Sequence, residues 1–216
     1  MQSFRARCIA LCICFAPLGL GHAAPPQATP AQPVAAVVPA APAMNQDELA
    51  QYVKKEFGTK FTLSPMMPRG VGGQIVKGAA PIVLLTADLD GDGMEDAVIV
   101  VQSKNPMVDE KDFNYKVIDP YDGYFGFGDV RITRQFTTQD TENEHILLIV
   151  HSWRQTVPKA KYAIINLPFE NLSIDRVVAK KKTRVAIKTE EGGILTSSVY
   201  WDGKRYRYEP GTGDAE

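Results

Sequence analysis

"PIVLLTADLDGDGMEDAVIVVQ", Pro81 to Gln102, sets two apolar runs around a short acidic stretch. The runs are short and rich in valine and isoleucine, so they read as strands. "PIVLLTA" and "AVIVVQ" are apolar on both faces, which predicts central strands covered on each side. Between them Asp88, Asp90, Asp92 and Asp96 share a nine-residue frame. Carboxylates held this close repel. A fold that gathers them needs a cation among them, or must leave them loose in water.

The spacing favours the cation. Counting Asp88 as position 1, Asp90 and Asp92 take positions 3 and 5, and Gly93 falls at position 6, where a calcium loop turns sharply. Met94 then contributes a backbone carbonyl at position 7, and Asp96 a carboxylate at position 9. Calcium takes six to eight hard oxygen ligands, whereas magnesium prefers few protein ligands and keeps its waters. A helix-loop-helix site would need Glu at position 12, but Ile99 stands there, inside a strand. The pattern D-x-D-G-D-G-x-x-D between strands resembles the calcium loops of FG-GAP/VCBS-type repeats, found in integrin α-chains and secreted bacterial proteins. The resemblance covers Leu84 to Val101 and implies Asp88, Asp90, Asp92 and Asp96 as calcium ligands, with a main-chain oxygen at Met94. Only one copy is present, so a full propeller is not expected.

Working outward, Asn45 and Glu48 form a capping box, and Leu49, Val53 and Phe57 share one helical face that ends at Gly58. "KFTL", "HILLIVHSW", "KYAIINLPF", "SIDRVVAK", "RVAIK" and "GILTSSVYW" read as further strands, and "GVGGQIVKG" as a loop or edge hairpin. Asp202-Gly203 predicts a two-residue hairpin turn that sets Val199 opposite Tyr206, with Leu195, Val199 and Trp201 on one face. The expected fold is α+β and mostly antiparallel β, with one N-terminal amphipathic helix packed on a sheet-rich domain.

The domain is expected to span 45–216. Residues 1–23, with Arg5 and Arg7 ahead of an apolar run, read as an export signal, and the Pro/Ala-rich 24–44 as an extended linker. All three cysteines, Cys8, Cys12 and Cys14, lie in the leader. The mature chain therefore has neither disulfides nor a thiolate nucleophile, and must be stabilised by its core or a metal. Nothing after the leader is apolar for long enough to span a bilayer. The near-neutral charge provides no overall basic footprint for nucleic acid.

Weaker signals complete the reading. "DPYDGYFGFGD", Asp119 to Asp129, carries Tyr121, Tyr124, Phe125 and Phe127 and is expected to fold onto the core; exposed, it would offer a sugar-binding surface. His145 and His151 read as ordinary strand-end histidines about 20 Å apart, with Glu142 and Glu144 near the first. "AKKKTR", Ala179 to Arg184, reads as a solvated charge run. No complete catalytic signature occurs. The expectation is an exported, periplasmic or extracellular, non-enzymatic calcium-binding domain, a binding or scaffold module for an envelope protein or glycan. The alternatives are an envelope-polymer hydrolase, or a carbohydrate-binding module using the 119–129 aromatics.

Overall fold

The helix α1, Gln46–Phe57, begins where the sequence places it. Asn45 Oδ1 accepts from the Glu48 amide at 2.9 Å, and Glu48 Oε2 accepts from the Asn45 amide at 3.0 Å. Both bonds satisfy donors that a helix start leaves unpaired. Leu49, Val53 and Phe57 are buried along one face. Gly58 ends the helix at φ 90°, where a Cβ would meet Asp109 at 2.7 Å and Phe113 at 2.8 Å. This position therefore demands glycine for space as well as for backbone freedom.

The computed structural model describes residues 44–70, 73–128, 145–193 and 195–211, which fall in one compact unit. The expected leader, nearly all of the expected linker, and Glu142 and Glu144 lie outside them. After α1 come β1 (Phe61–Leu63), β2 (Leu84–Ala87), β3 (Asp96–Ser103), β4 (Lys116–Ile118), α2 (Pro120–Tyr124), β5 (Ile146–His151), β6 (Ala160–Ile164), β7 (Asn171–Ala179), β8 (Lys182–Glu191), β9 (Leu195–Trp201) and β10 (Tyr206–Pro210). The first sheet runs β1-β3-β5-β6-β4, with β2 also pairing β3; the second runs β10-β9-β8-β7. All pairings are antiparallel except β4 with β6. The fold is α+β and β-rich, neither a closed barrel nor a propeller. Among the described residues no helix is long and apolar enough to cross a membrane.

The period-two alternation of β3 and β5 divides the interior into two cores. Ala97, Ile99 and Val101 join Ile146, Leu148 and Val150 beneath α1. Val98 and Val100 join Leu147 and Ile149 against Ile187 and Val199 of the second sheet. The central sheet is thus covered on both faces, which explains why β3 and β5 read as unbroken apolar runs.

Three expectations fail here. The segment "PIVLLTA" gives only a four-residue, half-buried strand along one edge of β3, not a central one. The β9–β10 turn is longer than two residues: Trp201 pairs Tyr206, so Val199 faces Tyr208. Asp202 causes the difference. Its Oδ1 accepts from the Lys204 and Arg205 amides at 2.9 and 3.0 Å, and Oδ2 accepts from Arg207 Nε at 2.7 Å. A side chain that satisfies the turn's own amides stabilises a four-residue loop over the tighter one. Leu195, at the start of β9, points to solvent.

Two outcomes follow. Phe57→Ala should lower unfolding free energy by about 3–5 kcal/mol in urea titration, as aromatic truncations in cores do. Burial alone would raise the Asp202 pKa, but Arg207 and the turn amides hold it well below the usual range. A depressed carboxylate stabilises the fold above its unfolded value near 4, and that contribution is lost as pH falls. The stability gap between wild type and Asp202→Asn should therefore shrink steadily below about pH 4.

Candidate metal centre at the β2–β3 turn

The last paired residues of β2 and β3 are Ala87 and Asp96, so the acidic stretch is the connection of a hairpin. Two features fold it tightly. Asp88 curls back over the turn: Oδ1 accepts from the Gly91 and Asp92 amides at 2.8 and 3.1 Å, and Oδ2 from the Gly93 amide at 3.0 Å. Gly91 and Gly93 adopt φ of 78° and 84°, left-handed values that glycine reaches without strain. Leu89, between two aspartates, turns inward and is buried in the core between the sheets.

Asp96 is the anchor. It is fully buried at the start of β3. Its Oδ2 accepts from the amides of Leu89 at 2.8 Å and Asp90 at 3.3 Å, and its Oδ1 from the amide of Ser152 at 2.8 Å. Burial pushes its pKa up, against the pull of those amides and of nearby His151. One carboxylate thus ties the loop to the end of β5.

Ligand oxygens of Asp88, Asp90 and Asp96 lie within 4.8 Å of one another, a spacing that suits a single cation held by hard donors. Asp92 is not part of this group. Its Oδ2 accepts from Lys159 Nζ at 2.7 Å, and Asp90 Oδ2 accepts from the same ammonium at 2.7 Å. Both carboxylates raise the Lys159 pKa, Asp90 foremost. The Met94 amide donates to Asp92 Oδ1 at 2.9 Å, and the Met94 side chain is exposed.

Sequence reasoning missed two groups that face the loop from the end of β5 and the β5–β6 connection. Lys159 is one; His151 is another. His151 is 1% exposed, with Nδ1 3.1 Å from Asp90 Oδ2 and Nε2 2.5 Å from the Tyr206 hydroxyl. The tautomer that fits both contacts has Nδ1–H donating to Asp90 and Tyr206 donating to Nε2. The rings of Tyr162, Trp201 and Tyr206 surround the imidazole at 5.3–5.7 Å. Sequence separation hid these contacts, yet the register contained them: Ala97 pairs Val150, so Asp96 and His151 begin and end neighbouring strands on the same face. Glu95 completes the clamp, accepting from the Trp153 indole at 3.0 Å and from Arg154.

A hydrolytic centre would need an accessible acid–base pair. His151 does meet a loop aspartate, but the imidazole is sealed from solvent by the three rings. His145 stands apart from the loop, stacked on Phe169 at 5.7 Å, and burial lowers its pKa.

The aromatic stretch departs from expectation. It forms α2, which Asp119 caps by accepting from the Asp122 amide at 2.8 Å. So short a helix presents only one face to the core. Tyr121 packs inward, while Tyr124, Phe125 and Phe127 are 53, 52 and 62% exposed. Tyr124 and Phe125 meet at 88°, and both contact Tyr208. These rings form no single flat platform of the kind that stacks on a sugar.

Compared with protein-family models, with curated proteins and with solved structures, the chain matches none.

Asp96→Ala would strand the buried amides of Leu89 and Ser152. At about 1–3 kcal/mol for each unsatisfied group, the loss should be roughly 2–6 kcal/mol in denaturant titration with chelator present. A loss that appears only when calcium is added would show that Asp96 acts through metal alone.

Proposed function

We propose that this chain is an exported, β-rich, calcium-binding module of the cell envelope that works by binding, not by catalysis. The supporting observation is the convergence of Asp88, Asp90 and Asp96 on one hairpin, in the order D-x-D-G-D-G-x-x-D. Calcium would take carboxylate oxygens from these three, the main-chain oxygen of Met94 and water. Asp92 would join once Lys159 moves away. The metal would tie β2 to β3 and fix the loop against the β5–β6 connection. Export rests on the basic, apolar leader, and the binding role on the absence of a catalytic signature in the sequence together with the sealed position of His151. The loop's likeness to FG-GAP/VCBS-type repeats agrees with this reading and extends no further than the loop.

Lys159 gives the site a tethered competitor. Its ammonium neutralises Asp90 and Asp92, so an incoming cation must displace it. The expected affinity is that of extracellular calcium modules, about 10⁻⁴ to 10⁻³ M. At about 1 mM free calcium the stabilisation is then about 0.4 to 1.4 kcal/mol, which raises the melting temperature by roughly 1–6 °C.

Calorimetric titration of calcium into chelator-stripped protein tests this. Wild type should bind, Asp88→Ala should not, and Lys159→Ala should bind more tightly than wild type. Absence of heat in wild type, or equal heat in wild type and Asp88→Ala, would leave the loop a metal-free acidic turn.

A further inference from the structure

We propose that the cleft between the β4–α2 edge of the first sheet and strand β10 of the second binds a compact polyanion, a small ligand bearing two or more phosphate or carboxylate groups. The proposal rests on the reading of this chain as a binding module and is independent of the metal. The cleft has a volume of about 680 Å³, within the usual range for small-molecule sites. Lys116, Lys180, Lys204 and Arg205 line it, and all four are exposed. None of the four has an ion pair among the described residues.

Two carboxylates, Asp119 and Glu209, also line the cleft, and each is engaged by a local donor. Asp119 caps α2 and accepts from Asn166 Nδ2, Glu209 accepts from the Tyr200 hydroxyl, and Asp202 holds Arg207. Lys116, Lys180, Lys204, Arg205 and Arg207 line the cleft against Asp119 and Glu209, so among the described residues its lining carries an excess of positive charge on a chain whose formal net charge is -1. Lysine and arginine in such a setting select phosphate or carboxylate through charge-assisted hydrogen bonds. The walls add phenols: Tyr124 is half exposed at the rim, and the Tyr206 hydroxyl behind is taken by His151. Neutral ligands would gain little here, because they leave the ammonium groups unpaired.

The register of the β9–β10 turn creates the site. The four-residue loop at Asp202 carries Lys204 and Arg205 outward at its tip, and the β7–β8 turn brings Lys180 alongside. A charge run that reads as merely solvated in the sequence thereby acquires a shared target.

The test is calorimetric titration of inorganic tripolyphosphate and of citrate, with maltotriose as the uncharged control. Calcium is omitted because both anions chelate it. At least one anion should bind. The Lys204→Ala/Arg205→Ala double variant should weaken it about tenfold or more, and raising salt from about 50 to about 300 mM should weaken it too. Preference for tripolyphosphate would assign phosphate and preference for citrate would assign carboxylate; either supports the proposal. Both substitutions lie at an exposed turn, so an unchanged melting curve will confirm that the fold is intact. Binding of neither anion by about 5 mM, equal binding of maltotriose, or wild-type affinity in the double variant would overturn it. Because the double variant leaves the aspartate loop untouched, its calcium titration should match wild type. Failure of the cleft and failure of the metal site are therefore read separately.

Discussion

A single buried carboxylate organises the acidic end of this molecule. Asp96 opens β3, whose first six residues are all buried, and accepts backbone amides from both the loop before it and the turn after β5. Each bond satisfies an amide that would otherwise be costly to enclose. Because β3 and β5 are neighbouring interior strands of the covered sheet, the loop is anchored on its buried centre. Displacing Asp96 would free Leu89 from the inter-sheet core and separate Asp90 from His151.

Charge balance around that anchor explains how four aspartates coexist. Asp96 is held by amides, Asp88 is solvated by the amides of its own turn, and Asp90 is shared by His151 and Lys159. Asp92, the most exposed of the four, leans on Lys159. This arrangement pairs much of the loop's charge while keeping ligand oxygens of three carboxylates within 4.8 Å of one another. In the proposed calcium-bound state a cation would compete with Lys159 for much of the same negative charge. On the proposed reading, that competition would make the site weak and exchangeable.

What the sequence revealed depended on range. The helix was legible because its capping box and its apolar face lie within one short stretch, from Asn45 to Phe57. β3 and β5 were legible because burial on both faces writes an unbroken apolar run. The spacing of the aspartates was legible for the same local reason. β2 was misread because its apolar residues serve two cores from an edge position, which mimics a central strand. β4 escaped notice because three residues pairing in parallel with a distant strand leave no periodic trace. The hairpin turn was misjudged because the Asp-Gly preference was outweighed by the Asp202 side chain. Lys159 and His151 meet the loop from more than fifty residues away, a relation that only strand register sets. The aromatics near Tyr124 looked like core by composition, but a helix of five residues has too small an inner face to bury them.

The most direct test of the account is a crystal structure of the protein grown with millimolar calcium. The account predicts an ion about 2.3–2.6 Å from carboxylate oxygens of Asp88, Asp90 and Asp96, with the Lys159 ammonium moved off Asp90. Lys159 still bonded to both Asp90 and Asp92, with no ion density among the aspartates, would contradict it.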